Sequence, residues 1–236
     1  MLDDSQYSVI NTNIRRIKID DIECIEKIVS NNCDLGISQE DLYLLFEKYI
    51  EEINNSDINL PEILHHKIEE DYIAFYCVEK GENILEKFNL NELIFGKGRV
   101  FLVNIINEIK KAVQCKLNLD PHIKNFVIKN DEISFVDFSP PYTEEYFTLR
   151  LSLAKKDEIA IIKKNFQFFK PQYLYHHFLG DFFNVDKNIS HNLTKEIFNL
   201  MKNELNLKQS YEDFLSDSKK IRNLEDERIK RDIFLF

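Results

Sequence analysis

Apolar and polar positions change period several times along this chain. Short runs at residues 7–10, 14–19 and 22–29, separated by Asn11-Thr12-Asn13 and Asp20-Asp21, predict three strands. The third run also fits a helical stripe through Ile22, Ile25, Ile28 and Val29. From Leu42 the spacing becomes three and four: Leu45, Phe46, Tyr49, Ile50 and Ile53 follow, and Ser38-Gln39-Glu40-Asp41 forms a capping box. A helix to about Asn54 is expected. Residues 63–68 and 72–78 flank a Glu69-Glu70-Asp71 turn and predict two more strands, which lead into a polar linker at residues 79–83. A helical stripe then runs from Val100 to Val113 through Leu102, Ile105, Ile106 and Ile109. Residues 127–128 and 133–136 flank Lys129-Asn130-Asp131 as a hairpin. Beyond Tyr142 the pattern predicts helices over 157–169, 171–183, 193–205 and 211–234, with Pro171 suited to a first turn. The order implies an α+β protein, with a small strand-rich part over residues 1–83 and a mainly helical part over 84–236.

Composition narrows the partners. The chain has 236 residues, with 31 Lys and Arg against 41 Asp and Glu, a formal charge of −10. Long-range attraction to nucleic acid or anionic lipid is disfavoured. Cys24, Cys33, Cys77 and Cys115 have no C-x-x-C spacing, which suggests reduced, packed thiols. The first residues lack a signal-peptide pattern and no apolar run is long enough for a membrane span, so a soluble, cytoplasmic protein is expected.

The chemistry concentrates between Leu117 and Pro141. Asp120, His122 and Asn125 share one short loop, and Asp137 follows at the end of an apolar strand. Asp120 could take a proton from an attacking hydroxyl, while Asn125 and Asp137 offer hard oxygen ligands for Mg²⁺. Those are the parts of phosphoryl transfer. Each residue alone is equally at home in a turn, since Asp and Asn bond their own backbone and Pro121 fixes φ. The combination, in a loop, strand, turn and strand after a long helix, is the signal.

This D-x-H-x-x-N loop, followed by a hairpin and an apolar-Asp-Phe step, resembles the protein-kinase-like superfamily. Within it the loop is most similar to aminoglycoside phosphotransferases and choline kinases. The resemblance implies a two-lobed kinase-like fold with a reduced N-terminal lobe and a mainly helical C-terminal lobe. It implies ATP and Mg²⁺ as cofactors, with a nucleotide and a small-molecule hydroxyl acceptor as ligands, and no nucleic acid or membrane partner. Asp120 would be catalytic, Asn125 and Asp137 metal-binding, and Cys77 to Lys80 the backbone that receives the adenine. A strand lysine oriented by a helical glutamate should meet the phosphates, and Lys27 with Glu47 stand in suitable order. Lys18, Arg15 or Glu51 could serve instead. In the family likeness the acceptor pocket falls after Pro141, where Tyr142, Glu144, Glu145, Asp181 and Asp186 would favour a cationic amine.

Several features depart from that pattern. Asn118 stands where the family usually has His, which would loosen the loop's internal scaffold, and Ser139-Pro140-Pro141 follows the metal-binding Asp. No Gly precedes Gly36, so a Gly-rich phosphate loop is missing. A non-catalytic kinase-like module and a protein Ser/Thr kinase are the alternatives, and a metal-dependent hydrolase is a third. Gly96-Lys97-Gly98 reads as a turn opening the next helix, or as an anion site. His65-His66 and His176-His177 are adjacent pairs whose side chains diverge, better suited to packing than to a zinc site. The charges from Glu212 to Arg231 read as a solvated helix face.

Overall fold

A computed structural model describes residues 10–31, 37–205 and 207–230. The strand expected over 7–10 lies almost wholly outside them, as do Cys33 and the last residues of the final predicted helix. The first strands are β1 (Ile10–Ile19) and β2 (Ile22–Asn31), paired antiparallel with Ile19 opposite Ile22. Asp20 and Asp21 take φ of 47° and 68°, the left-handed pair of a two-residue hairpin turn whose twist matches that of the strands. The 22–29 run is therefore a strand and not a helix. Its second edge pairs with β4, and pairing on both sides outweighs the helical spacing of its isoleucines.

Next come α1 (Gln39–Asn55), β3 (Ile63–Ile68) and β4 (Tyr72–Val78). Ser38 caps α1 by accepting a hydrogen bond from the Asp41 backbone N–H at 3.0 Å. The sheet order is β1-β2-β4-β3, so the α1 crossover puts β3 at an edge. Leu42, Phe46, Tyr49 and Ile53 form the buried stripe of α1, with the Phe46 and Phe75 rings 5.4 Å apart.

The linker forms β5 (Glu82–Asn83), followed by α2 (Ile84–Lys87), α3 (Leu90–Phe95) and α4 (Arg99–Cys115). The two short helices are marked by Asn83 and Asn89 caps. Gly81 has φ of +111°, and a Cβ there would sit 2.0 Å from the Ile128 carbonyl oxygen. Only glycine lets the linker approach the loop hairpin so closely. That hairpin is β6 (Phe126–Lys129) and β7 (Glu132–Phe135), with Asn130 and Asp131 in a second left-handed turn and β5 paired to β6. Gly96 and Gly98 end α3 and open α4, as the turn reading expected.

The rest is helical: α5 (Glu144–Ser152), α6 (Ile159–Phe166), α7 (Leu174–Val185), α8 (His191–Leu205) and α9 (Tyr211–Lys230). α5 escaped the periodicity because it buries mainly Tyr146 and the polar Arg150. The fold is α+β, with a small sheet beside a helical part. One hydrophobic cluster runs from Val29 and Phe75 through Ile105 and Phe138 to Phe182 and Phe214. Among the described residues no helix is long and apolar enough to cross a membrane.

Candidate active site

Two chain segments meet where the sheet touches the helical part. β2 carries Lys27, which is 5% exposed, and the residues after β7 carry Asp137. Lys27 Nζ donates to Asp137 Oδ1 at 3.0 Å, reaches the Val136 carbonyl at 3.4 Å and lies 4.3 Å from the centre of the Phe138 ring. The ion pair, a backbone acceptor and a ring face together compensate a lysine that has lost most of its water. Asp137 Oδ1 also accepts from the Ser139 backbone N–H at 3.3 Å.

The expected Lys27–Glu47 pair is not formed. Glu47 is exposed on α1 and accepts from the Tyr43 hydroxyl at 3.1 Å. The α1 stripe that packs inward is Leu42, Phe46, Tyr49 and Ile53, and Glu47 falls off that face. Lys27 instead takes its carboxylate from the loop. Neither Lys18 nor Arg15 replaces it, since these pair with Asp21 and Glu26 on exposed strand positions.

The Asp120 loop lies in the interior. Asn125 Nδ2 donates to the Asp120 carbonyl at 3.2 Å, which fixes the amide orientation and leaves Oδ1 as its acceptor atom. The Val136 N–H donates to the Asn125 carbonyl at 2.9 Å, so the hairpin holds Asn125 beside the residue before Asp137. Tyr142 donates its hydroxyl to Asp120 Oδ2 at 3.3 Å. Burial raises the Tyr49 and Tyr142 pKa values well above normal, and Asp120 and Asp137 both add to the effect. The two carboxylates thus act on the same two phenols, in one shared neighbourhood.

Asn118 does not loosen this loop. Its Nδ2 donates to the Tyr142 carbonyl at 2.9 Å and its carbonyl accepts from Tyr49 at 3.0 Å, tying the loop to α1 and to the segment entering α5. Asp181, expected in an acceptor pocket, is a buried brace: its Oδ2 accepts from the Ile123 N–H at 2.8 Å. Glu225 is likewise buried, 2.8 Å from His177 Nε2 and 3.3 Å from Arg222, so the 212–231 stretch is not a purely solvated face. Charge alternation along α9 conceals this, because nothing local distinguishes Glu225 from its exposed neighbours. Of the remaining expected pocket residues, Glu144 pairs with Lys170 at 2.8 Å and Glu145 with Lys48 at 2.5 Å.

His122 sits among these acids. Its Nδ1 faces Asp120 Oδ1, and its Nε2 is 3.6 Å from Asp181 Oδ1 and 4.0 Å from Glu225 Oε1. Burial alone would favour neutral imidazole, but Asp120 and Asp181, with Glu225, reverse this and push its pKa up to about 10. For Asp120 burial works against ionisation as well, yet His122, aided by His177, holds the carboxyl well below the usual carboxylate range. Hydrogen bonding and opposite charge outweigh desolvation in both cases.

A cleft of about 650 Å³ opens beside the loop. Lys48 and Glu52 from α1, Glu144 and Glu145 from α5, and Asn118 with Tyr142 line it. Tyr142 is the direct link from this cleft to Asp120. No protein-family model and no curated protein matches the chain.

Proposed function

We propose that this chain is an ATP- and Mg²⁺-dependent phosphotransferase acting on a hydroxyl of a small molecule, with a reduced kinase-like fold. The observation that carries the reading is the Lys27–Asp137 ion pair at 3.0 Å. Phosphoryl transfer needs a fixed cation beside a metal-binding acid. Here those two groups come from opposite ends of 110 residues of sequence. The order of β2, α1, β3, β4, linker, α4 and loop hairpin supports the same reading.

The available donor atoms fit Mg²⁺. Asn125 Oδ1 and the second oxygen of Asp137 are hard oxygens left over after the contacts above, and Mg²⁺ takes few protein ligands alongside phosphate oxygens. When bound, the ion would offset charge on the transferring phosphate. Lys27 would hold a phosphate oxygen as it exchanges away from Asp137. Asp120 would orient the acceptor hydroxyl and receive its proton through Oδ2, in exchange for Tyr142. The 650 Å³ cleft is the acceptor side, where Glu52, Glu144 and Glu145 favour an amine-bearing substrate.

ATP with Mg²⁺ at a hundred times its dissociation constant should stabilise the protein by about 2.7 kcal/mol, read as a thermal shift. Asp137→Ala should abolish the shift. Asp120→Asn should keep it and lower turnover by roughly 10²- to 10⁴-fold in an ATP-consumption assay. A wild-type protein with no shift would defeat the proposal. The non-catalytic alternative has one observation in its favour: Asp120 is already paired to His122 and Tyr142, which weakens it as a base. That alternative is preferred if binding occurs but no acceptor supports turnover above the Asp120→Asn level.

A further inference from the structure

The two buried histidines carry more than packing. His177 on α7 is 1% exposed and its Nε2 stands 2.8 Å from Glu225 Oε1. An ionised glutamate only accepts, so the proton of the neutral imidazole belongs on Nε2 and the lone pair on Nδ1. His177 Nδ1 is buried without a hydrogen-bond partner. His122 stands beside it, with Nδ1 facing Asp120 and Nε2 turned toward Asp181 at 3.6 Å, beyond hydrogen-bond reach. One ligand atom each from Asp120, His122 and His177 lies within 4.8 Å of the other two, and all three residues are buried.

The charge in this pocket is also unbalanced. His122 is the imidazolium among three buried acids, Asp120, Asp181 and Glu225, and Arg222, which faces Glu225, is shared with Asp226 at 2.5 Å, so carboxylates still outnumber cations. A buried excess of carboxylate is costly unless a cation accompanies it.

We propose that Asp120, His122 and His177 form a site for one divalent transition ion of the zinc class, with Asp181 and Glu225 as the carboxylates that orient the two imidazoles. Two nitrogens and one oxygen suit zinc or cobalt and not Mg²⁺, which prefers oxygen throughout. A carboxylate behind each histidine fixes the tautomer and strengthens the ligand. The ion would tie the Asp120 loop to α7, and through Glu225 to α9. It is separate from the oxygen pair Asn125 and Asp137. Its further consequence rests on the phosphotransferase reading: an ion held by Asp120 would slow transfer without displacing nucleotide.

The test uses tag-free, chelator-treated full-length protein titrated with Co²⁺, followed by visible absorption and calorimetry. One equivalent should bind, with the intense bands of a low-coordinate site, and Zn²⁺ should displace it. His177→Ala should abolish binding. Because that variant removes a core side chain, Glu225→Gln provides the second reading and should weaken Co²⁺ by about 10- to 100-fold. His65→Ala/His66→Ala and Asp137→Ala should bind as the wild type does. The proposal is overturned if wild type takes up less than a stoichiometric ion, if Glu225→Gln binds as tightly as wild type, or if either control variant loses the site. The ATP–Mg²⁺ thermal shift, measured on the same samples, reports on the phosphotransferase reading separately.

Discussion

Asp137 and Glu225 are both carboxylates facing a largely buried basic group, and they sit in different surroundings. The Asp137 side chain is 21% exposed, its second oxygen is open, and its partner Lys27 has the Val136 carbonyl and the Phe138 ring in reserve. Glu225 is 9% exposed against His177 at 1%, with His122 and Arg222 closing the other sides. The first pair can be opened by a ligand, because something else can satisfy each member. The second cannot open without stranding a polar group in the interior. Exchange belongs to the sheet side of this site, and rigidity to the α7–α9 side.

The sharpest way to break this contrast is to delete each carboxylate. Glu225→Ala strands the buried His177 imidazole, whose carboxylate partner it is, and opens a gap beside His122 and Arg222, and should cost about 3–5 kcal/mol of unfolding free energy in urea. Asp137→Ala should cost only about 1 kcal/mol, since Lys27 keeps the Val136 carbonyl and the Phe138 ring face. Equal losses in the two variants would remove the distinction.

Acid titration sharpens the same point. Burial would raise the Glu225 pKa, but His177, His122 and Arg222 bring it from 4.5 down to about 2. A depressed folded value means the stabilisation is complete above pH 4.5 and disappears as pH falls through about 2. That depression corresponds to roughly 3 kcal/mol of stability. His122 acts with the opposite sign: its pKa is raised from 6.5 to about 10, so its contribution is complete below pH 6.5 and declines as pH rises through about 10. Chemical denaturation across pH should therefore show a plateau with losses on both sides. Glu225→Gln should flatten the acid limb, and an unchanged limb would assign acid sensitivity elsewhere.

The legibility of this molecule in its sequence follows the range of each interaction. The hairpin turns Asp20-Asp21 and Asn130-Asp131, the Ser38 cap and the stripes of α1 and α4 are local, and they were readable. The loop residues Asp120, Asn125 and Asp137 stand out together in the sequence because their spacing is local too, and Lys27 is a candidate by its order along the chain. Its expected partner Glu47 is not its actual one, Asp137, because the face that α1 turns to the sheet is set by packing and not by spacing. His177, Asp181 and Glu225 come from helices that assemble around the loop through packing. Their neighbours in sequence carry no trace of that assembly, and a buried Glu225 looks the same as a solvated one.

A smaller effect is expected at Lys27. Lys27→Met exchanges a buried charge for an apolar chain of similar length while leaving Asp137 partly in water, so unfolding free energy should change by no more than about 1 kcal/mol. The ATP–Mg²⁺ thermal shift should nevertheless fall sharply. A large stability loss with an intact shift would make the pair a structural element and not a nucleotide contact.

The smallest structural effect lies at the cleft rim. Lys48 and Glu145 form an ion pair at 2.5 Å, but their side chains are 48% and 56% exposed, so solvent competes for both. Glu144, paired with Lys170, is equally open at 63%. Exposed pairs of this kind add little to folding, and Glu144→Gln/Glu145→Gln should leave the urea midpoint unchanged. Any consequence should fall on ligands instead. These acids line the cleft that Tyr142 connects to Asp120, so their neutralisation should raise KM for an amine-bearing acceptor while the ATP–Mg²⁺ shift stays as it was. If acceptor KM does not move, the cleft is not where a cationic group is read, and the acceptor side must be sought elsewhere around Asp120.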